Sequence, residues 1–264
     1  MKNRVALVTG AGRGIGEAIA LQFATLGARV AITARSQAEL DRVAAAGKAK
    51  GGTMFPIVAD LTDSAAPAKI MEAVSREFGP PEILVNNAGI GSSGEVTDSN
   101  PPKPRAIADF DDSFWDLTMK VNLTAPYVLT KLALPEMVKR RAGRLIYISS
   151  VNATIPGLFG SAYTASKHGV AGLMKVAAIE YAEYGITSNA ICPGVTGTKL
   201  NDRRLEFDSK RLNTTVEALK QGSTPLGRRL EPDEVASLAV YLASDAASGV
   251  NGQSINVCGG RVFG

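Results

Sequence analysis

The chain has 264 residues, of which 45% are hydrophobic and 20% charged, a balance typical of a globular protein that folds in water. Lysines and arginines are spread along the sequence, so the net charge of +4 gives no indication of a basic patch for nucleic acid. No run of eighteen apolar residues is present to span a membrane, and the apolar run near the start, VALV, is too short for a signal peptide. We expect a cytoplasmic protein without nucleic-acid or membrane partners.

Few residues are available for metal binding. The chain has one histidine, His168, and two cysteines, Cys192 and Cys258, which lie too far apart in sequence to form a metal-ligand pair. A zinc site or a Ser-His-Asp triad would therefore depend on His168 alone. We predict metal-independent chemistry, no catalytic role for His168, and a buried, unreactive thiol at Cys192.

Apolar, strand-like runs alternate with helical patterns along the whole chain. Strands are predicted at 4–9, 29–34, 53–60, 82–89, 143–150, 186–194 and 253–260. Helices are predicted at 15–28, 37–50, 64–79, 114–140, 161–185 and 231–244. This alternation predicts βαβ units, and hence an α/β, doubly wound, parallel sheet with helices on both faces and ligands at the carboxyl ends of its strands. No linker is evident, so we predict a single domain over residues 1–264.

Two long segments interrupt the alternation. Residues 89–113 are rich in proline and lack a helical period, while residues 196–229 are charged and only intermittently apolar. Both follow the carboxyl ends of predicted strands, where a doubly wound sheet has its binding crevice. Irregular segments of this length in compact domains are commonly functional lids or disordered inserts. We predict that both segments are loops that cover a substrate.

The first predicted strand runs directly into a glycine-rich sequence, TGAGRGIG, at residues 9–16. Gly10, Gly14 and Gly16 give the spacing G-x-x-x-G-x-G at the start of the first predicted helix. Glycines let the backbone turn sharply and approach a pyrophosphate, and a helix N-terminus offers free N–H groups and the positive end of its dipole. Any tight turn can use glycines, but between the first strand and the first helix this cluster predicts a nucleotide site.

The end of the second strand bears on the choice of nucleotide. Dinucleotide sites for NAD commonly have an acidic residue there to accept hydrogen bonds from the ribose hydroxyls. This sequence instead has Ala34 followed by Arg35, and Arg13 lies within the glycine turn. Either arginine alone is equally compatible with a solvated surface, but both can pair with a 2′-phosphate. We predict that NADP(H) is favoured and that NAD(H) remains possible.

A tyrosine and a lysine are four residues apart in the sequence SAYTASKHG, at residues 161–169. On a helix, Tyr163 and Lys167 lie on the same face and can touch. The pair is either an ordinary contact on a solvated helix or a phenol whose acidity is tuned by a cation, and the spacing alone does not distinguish the two.

These motifs, taken in order, resemble the short-chain dehydrogenase/reductase family from end to end. The matching features are TGAGRGIG, Asp60 after the third strand, NNAG at 86–89, Asn122 in VNLTAP, Ser150 in ISS, YTASK at 163–167, PGVTGT at 193–198 and the closing GQSINVCGG. The resemblance implies a Rossmann-like sheet of about seven strands, a nicotinamide cofactor and a homotetramer. The NVCGG ending is similar to that of some polyketide ketoreductases. The segment between Gly89 and Asn122 is longer than the family's usual spacing.

The resemblance also implies residue roles. Tyr163 would be the general acid that protonates a carbonyl oxygen, and Ser150 would orient that carbonyl. Lys167 would bind the nicotinamide ribose and lower the pKa of the phenol, by about 2 units at an effective dielectric of about 20. Asn122 would hold a water that links Lys167 to solvent. Structural alternatives stay open: a helix kink at Asn122, a helix N-cap at Ser150 and a surface charge at Lys167.

The resemblance extends to the cofactor site. Asp60 would accept from the adenine amino group, and Thr198 would contact the nicotinamide carboxamide. The full predicted set is Gly10, Arg13, Gly14, Ile15, Gly16, Arg35, Asp60, Leu61, Asn87, Ala88, Gly89, Tyr163, Lys167, Pro193, Gly194, Val195 and Thr198.

Together these features predict an NADP(H)-dependent ketone reductase or secondary-alcohol dehydrogenase that acts on a small-molecule carbonyl or alcohol without a metal. An NAD-dependent dehydrogenase of a hydroxy acid or polyol is the alternative within the same class. A catalytically silent nucleotide-binding sensor is the alternative outside it, although such a protein would be expected to lack one of Asn122, Ser150, Tyr163 or Lys167. The substrate is not specified by the sequence.

Overall fold

The computed structural model describes residues 1–91 and 105–263. Within these residues, seven strands form one sheet in the order β3-β2-β1-β4-β5-β6-β7, and every neighbouring pair is parallel. The strands are β1 (Val5–Thr9), β2 (Arg29–Ala34), β3 (Thr53–Val58), β4 (Ile83–Asn86), β5 (Gly143–Ile148), β6 (Ile186–Pro193) and β7 (Ser254–Val257). The strand order reverses between β1 and β4, which is where a doubly wound sheet opens a crevice at its carboxyl end.

Helices cover both faces of the sheet, as the alternation predicted. They are α1 (Gly14–Thr25), α2 (Gln37–Ala49), α3 (Ala66–Phe78), α4 (Asp112–Met119), α5 (Ala125–Arg140), α6 (Ser161–Glu180), α7 (Lys199–Leu212), α8 (Val216–Gln221) and α9 (Pro232–Ala243). Helices α1, α2 and α9 pack on one face through residues such as Phe23 and Leu40. Helices α3, α5 and α6 pack on the other through residues such as Ile70 and Leu129. The predicted Rossmann-like sheet with helices on both faces is confirmed.

The helix predicted over residues 114–140 is divided. It begins at Asp112, where the carboxylate of Asp111 accepts from the backbone N–H of Phe114, and a π-helical turn at Lys120–Thr124 separates α4 from α5. Pro126 has no N–H, so the carbonyl of Asn122 loses the donor that an unbroken α-helix would supply from residue 126. The prediction of one continuous helix was therefore wrong, and the break lies at a predicted site residue.

The prediction that residues 196–229 form an irregular loop was also wrong. Thr198 caps α7 by accepting from the N–H of Asn201, and Thr215 caps α8 in the same way from Ala218. An ion pair between Arg204 and Asp208, one turn apart at 2.6 Å, further supports α7. Leu205 is the one buried residue of α7, so a helical apolar period is missing even though the backbone is helical.

The other predicted covering segment, residues 89–113, lies largely outside the described residues, which omit 92–104. Most remaining boundaries differ from the sequence prediction by a few residues at element ends; β3, for example, ends at Val58 instead of Asp60, and α6 at Glu180. No helix among the described residues is long and apolar enough to cross a bilayer.

Candidate active site

A cleft of about 1750 Å³ lies at the carboxyl ends of the strands. Segments that follow β1, β2, β3, β4, β5 and β6 contribute to its walls, together with α7. Most of the predicted site residues line it: Gly10, Arg13, Gly14, Ile15, Arg35, Asp60, Leu61, Asn87, Ala88, Gly89, Ser150, Tyr163, Lys167, Pro193, Gly194, Val195 and Thr198. Gly16 and Asn122 do not line the cleft. Gly16 packs against the glycine turn, and Asn122 bonds to Ile90 in the segment after β4.

The glycine turn forms a cradle at the N-terminus of α1. Gly10 and Gly14 have φ angles of 64° and 60°, in the left-handed region that favours glycine. Arg13 precedes the helix without a side-chain cap, so the first N–H groups of α1 keep their capacity to bind an anion. The amide of Asn87 braces the turn by donating to the carbonyls of Thr9 (2.8 Å) and Gly10 (3.0 Å). This geometry fits the pyrophosphate of a dinucleotide.

Gly16 has no room for a side chain, so a substitution there should destabilise the glycine turn. A Cβ at this position would lie 2.5 Å from the carbonyl oxygen of Gly10 and would also meet the Asn87 amide. Because the obstacle includes backbone of the turn itself, Gly16→Ala is expected to lower the free energy of unfolding by about 2–3 kcal/mol. It should also weaken dinucleotide binding at least about tenfold, because the cradle must distort. Urea denaturation and calorimetric titration with NADP⁺ measure the two effects.

The control for this change is Gly249→Ala, in an exposed turn between α9 and β7. A Cβ at Gly249 would meet nothing within 4 Å, so the alanine should be neutral or stabilise the protein by up to about 1 kcal/mol. Equal stability losses in the two variants would contradict the steric explanation.

We call the part of the cleft between the glycine turn and the start of α2 its ribose end. A carboxylate lies there, whereas the sequence predicted none. Ser36 caps α2 by accepting from the N–H of Glu39, and the first turn of α2 brings Glu39 back over the glycine turn. The Glu39 carboxylate lies 3.4 Å from Arg13 Nη1 and lines the cleft with the exposed Arg35. Sequence reasoning considered only the residues directly after β2 and missed Glu39; the S-x-x-E pattern at Ser36 indicates the start of α2 but not that the Glu39 carboxylate faces the glycine turn.

Arg42 is a second residue that sequence reasoning missed. Its guanidinium donates to the carbonyl of Gly12 (3.0 Å) and to both carboxylate oxygens of Glu17, at 2.6 and 2.7 Å. The hydrogen bond with Glu17 raises the pKa of Arg42. Arg42 therefore ties the glycine turn to α1 and α2. Asp60, the predicted adenine contact, is exposed and accepts from the N–H of Thr62 at 2.9 Å.

Tyr163, Ser150 and Lys167 meet on one wall of the cleft. Lys167 is only 5% exposed, so the surface-charge alternative is excluded. Its Nζ donates to the carbonyl of Ile148 (2.8 Å) and lies 5.6 Å from the centre of the Tyr163 ring. The Ser150 hydroxyl lies close enough to the Tyr163 phenol to lower its pKa and accepts from the N–H of Asn152 (3.1 Å). The N-cap alternative for Ser150 is thus correct for a short turn, alongside its contact with Tyr163.

The acidity of the Tyr163–Lys167 pair differs from the sequence expectation. Burial raises the pKa of Tyr163, and the nearby Ser150 hydroxyl offsets this only in part. Burial also lowers the pKa of Lys167 to about 8. The expectation that Lys167 lowers the pKa of the phenol is therefore wrong for the protein alone, because the loss of water around the phenolate is the largest effect and raises its pKa. Tyr163 is protonated at neutral pH.

Two further groups support this wall from behind. Ser149 donates to the carbonyl of Lys167 (3.2 Å) and so holds α6 against the end of β5. The thiol of Cys192 is buried, as predicted, beside Ser149 and Ser150, and burial raises its pKa. His168, one residue after Lys167, is exposed and turned to the carbonyl of Thr164.

Asn122 is buried, and its side-chain amide is fully engaged. Its Oδ1 accepts from the N–H of Ile90 (2.8 Å), while its Nδ2 donates to the carbonyl of Ile90 (3.0 Å) and to Ser166 Oγ (3.1 Å). The side chain thus clamps the segment after β4 to α6. Asn122 does lie in the π-helical turn before Pro126, but its side chain bonds to Ile90 and Ser166 and not to the backbone of that turn. A water-binding role would fall to its main-chain carbonyl, which lacks a donor from Pro126.

The end of the cleft that α7 covers is partly apolar. Leu117, Val151, Leu158, Leu200 and Leu205 line it. Phe159 and Phe207 make an edge-to-face contact with ring centres 6.3 Å apart. Arginine side chains from α7 also reach this end. Thr198 holds the start of α7 over the phosphate cradle, because its Cγ2 is 3.1 Å from the Cβ position of Gly14.

Comparisons with known proteins agree with this architecture. A family model for short chain dehydrogenase matches residues 4–208. A D-beta-hydroxybutyrate dehydrogenase of Cupriavidus necator is 35% identical over 266 residues, covering 99% of both chains. A 3-oxoacyl-(acyl-carrier-protein) reductase of Thermotoga maritima is 34% identical over 267 residues, covering 100% of this chain and 99% of that protein.

The solved structures include a variant of actinorhodin polyketide ketoreductase with NADPH. It superimposes with a TM-score of 0.89 at 33% identity and covers 97% of this chain and 96% of that one. The sequence motifs, the fold and the relatives all agree: the chain belongs to the short-chain dehydrogenase family and is a pyridine-nucleotide-dependent oxidoreductase.

Proposed function

We propose that this protein is an NADP(H)-dependent ketone reductase or secondary-alcohol dehydrogenase that works without a metal. One observation carries the proposal: a protonated phenol, Tyr163, with the Ser150 hydroxyl close to it and Lys167 beside it, lines the same cleft as the phosphate cradle. A carbonyl placed at Tyr163 is then within reach of a dinucleotide that is held at Gly14. Ketoreductase relatives of similar length support the same reaction class.

A nicotinamide cofactor bound in this cleft would supply the hydride that reduces the carbonyl carbon. Tyr163 donates its phenolic proton to the carbonyl oxygen, which becomes the hydroxyl of a secondary alcohol. Ser150 donates a hydrogen bond to the same oxygen and fixes its position. Because its pKa is raised, Tyr163 carries the proton that it would donate at neutral pH. Lys167 stabilises the phenolate that remains and binds the nicotinamide ribose, and the carbonyl of Asn122 holds a water that returns the proton.

The cofactor proposal rests on the ribose end of the cleft. Arg13 and Arg35 both line it, and a guanidinium pairs well with a 2′-phosphate. Arg35→Asp is expected to weaken NADPH binding at least about tenfold, because attraction becomes repulsion, while NADH binding changes little. Titration of nicotinamide fluorescence measures both affinities. Unchanged NADPH affinity would contradict the assignment of Arg35.

A ketone panel tests the reaction. Aliphatic, aromatic and 3-oxoacyl ketones are followed by nicotinamide absorbance with NADPH and NADH in parallel, and hydroxy acids and polyols with the oxidised cofactors. Turnover of a ketone with NADPH supports the proposal. Preferred oxidation of a hydroxy acid with NAD⁺ would favour the alternative, which the D-beta-hydroxybutyrate dehydrogenase relative suggests. Tight cofactor binding without any turnover would indicate the silent sensor.

We also propose a cytoplasmic homotetramer. Exposed apolar side chains on the two long helices support the assembly: Tyr127 and Leu132 on α5, and Val176 and Ile179 on α6. Because Ile179 is 83% exposed in the single chain, this face is suited to burial against another copy. Sedimentation velocity distinguishes a tetramer from a monomer.

A further inference from the structure

The ribose end of the cleft contains the carboxylate of Glu39, which lies close to two cations. Glu39 Oε1 lies 3.4 Å from Arg13 Nη1 and 3.9 Å from Lys199 Nζ, and the Glu39 side chain is 29% exposed. Its other oxygen, Oε2, is 2.9 Å from the position that a Cβ on Gly12 would take. Glu39 therefore lies directly against the glycine turn, between the cradle and the start of α7.

The charges that face Glu39 come from three elements. Arg13 belongs to the glycine turn and Lys199 to α7. Arg42, on α2, attracts the Glu39 carboxylate from a greater distance, but its guanidinium is held by Glu17 and by the carbonyl of Gly12. An incoming 2′-phosphate would therefore bind Arg13 and Lys199, the cations that Glu39 already contacts, together with the exposed Arg35.

We propose that Glu39 is a specificity-determining residue that weakens the preference for a 2′-phosphorylated cofactor. The carboxylate competes with a 2′-phosphate for Arg13 and Lys199 and repels it directly. With an unphosphorylated ribose, the same carboxylate can accept hydrogen bonds from the hydroxyls. Glu39 thereby keeps NAD(H) usable in a site whose arginines favour NADP(H). The inference rests on the proposed dinucleotide site.

The test uses the adenosine halves of the two cofactors and needs no catalytic activity. Isothermal calorimetry measures the dissociation constants of 2′,5′-ADP and 5′-AMP for the full chain. Glu39→Gln keeps the size of the side chain and removes its charge. The variant is expected to shift the ratio of the two constants about tenfold toward 2′,5′-ADP, and the shift should shrink at high salt.

Asp41→Asn is the matched control. Asp41 is also on α2, is exposed and binds Gln37 at 2.7 Å, so the substitution removes the same charge away from the cleft. Its ratio should stay within about twofold of the wild type. Glu39→Ala, whose folding is checked by thermal unfolding, should shift the ratio in the same direction as Glu39→Gln.

Two outcomes overturn the inference. An unchanged ratio in both Glu39 variants would show that the carboxylate does not sense the phosphate, and a shift toward 5′-AMP would show that Glu39 instead orients Arg13 for phosphate binding. Failure of the proposed function is distinguishable from these. A wild-type chain that binds neither nucleotide overturns the dinucleotide site itself, whereas nucleotide binding without ketone reduction overturns only the reaction.

Discussion

Replacing Tyr163 with phenylalanine is expected to lower kcat for ketone reduction at least about 10³-fold, the upper part of the range for removal of a general acid. The substitution removes one oxygen and leaves the ring beside Lys167 in place, so the wall of the cleft should keep its shape. Dinucleotide affinity should stay within about threefold of the wild type, since the cradle at Gly14 is formed by other residues. NADPH absorbance and calorimetric titration measure the two quantities.

A matched control separates the lost proton donor from a general effect of removing a hydroxyl. Tyr241 on α9 is 42% exposed and does not line the cleft. Tyr241→Phe should leave both kcat and cofactor binding unchanged. If the Tyr163 variant retained most of its turnover, Tyr163 would not be the acid, and the proposed mechanism would fail with it.

The parts of the site that could be predicted from sequence are those in which a local motif determines position. The glycines at residues 10, 14 and 16 predict their own turn because left-handed backbone and close contact both require glycine. Tyr163 and Lys167 share a face because a helix brings residues four apart together. Ser150 follows a strand that ends at the same edge of the sheet, and parallel strands bring their carboxyl ends together.

The parts that could not be predicted depend on contacts between elements. Glu39 is four residues beyond Arg35, and only the packing of α2 on the glycine turn places its carboxylate at the ribose end of the cleft. The start of α7 rests on the same turn, through Thr198 and Gly14. The helix itself was missed because it buries little apolar surface over the cleft, so no hydrophobic period marks it.

The pKa values of Tyr163 and Lys167 could not be predicted from the sequence either. The sequence places a cation near a phenol and so predicts attraction, but not how much water each group loses. Burial is the largest effect on the pKa of both Tyr163 and Lys167. It raises the pKa of the phenol, whereas the nearby cation was expected to lower it. The amount of burial depends on β5, β6 and α6 together, and no local pattern reports it.

Lys167→Met is expected to stabilise the protein while it impairs catalysis. The pKa of Lys167 is lowered from 10.5 to about 8 by burial, so the unfolded chain binds the proton more tightly than the folded one. The contribution of Lys167 to the free energy of unfolding of the wild type should therefore rise by about 3 kcal/mol as pH increases from about 8 to 10.5. Below pH 8 the penalty is present in full. Methionine removes it, at the cost of about 1 kcal/mol for the lost hydrogen bond to Ile148.

The variant should thus be more stable than the wild type by about 1–2 kcal/mol at pH 7, and this advantage should disappear as pH rises from about 8 to 10. The buried Cys192 thiol, whose raised pKa lowers stability at alkaline pH, acts equally on both chains and cancels in the comparison. Turnover should fall about 10²-fold, because the phenolate left after proton donation loses a cation a few ångströms away. Lys48→Met is the control: Lys48 is exposed on α2 and does not line the cleft, and its loss should alter neither property. Urea denaturation across this pH range measures the stabilities. If the Lys167 variant were less stable at pH 7, Lys167 would be a structural cation, and burial would not be its dominant energetic term.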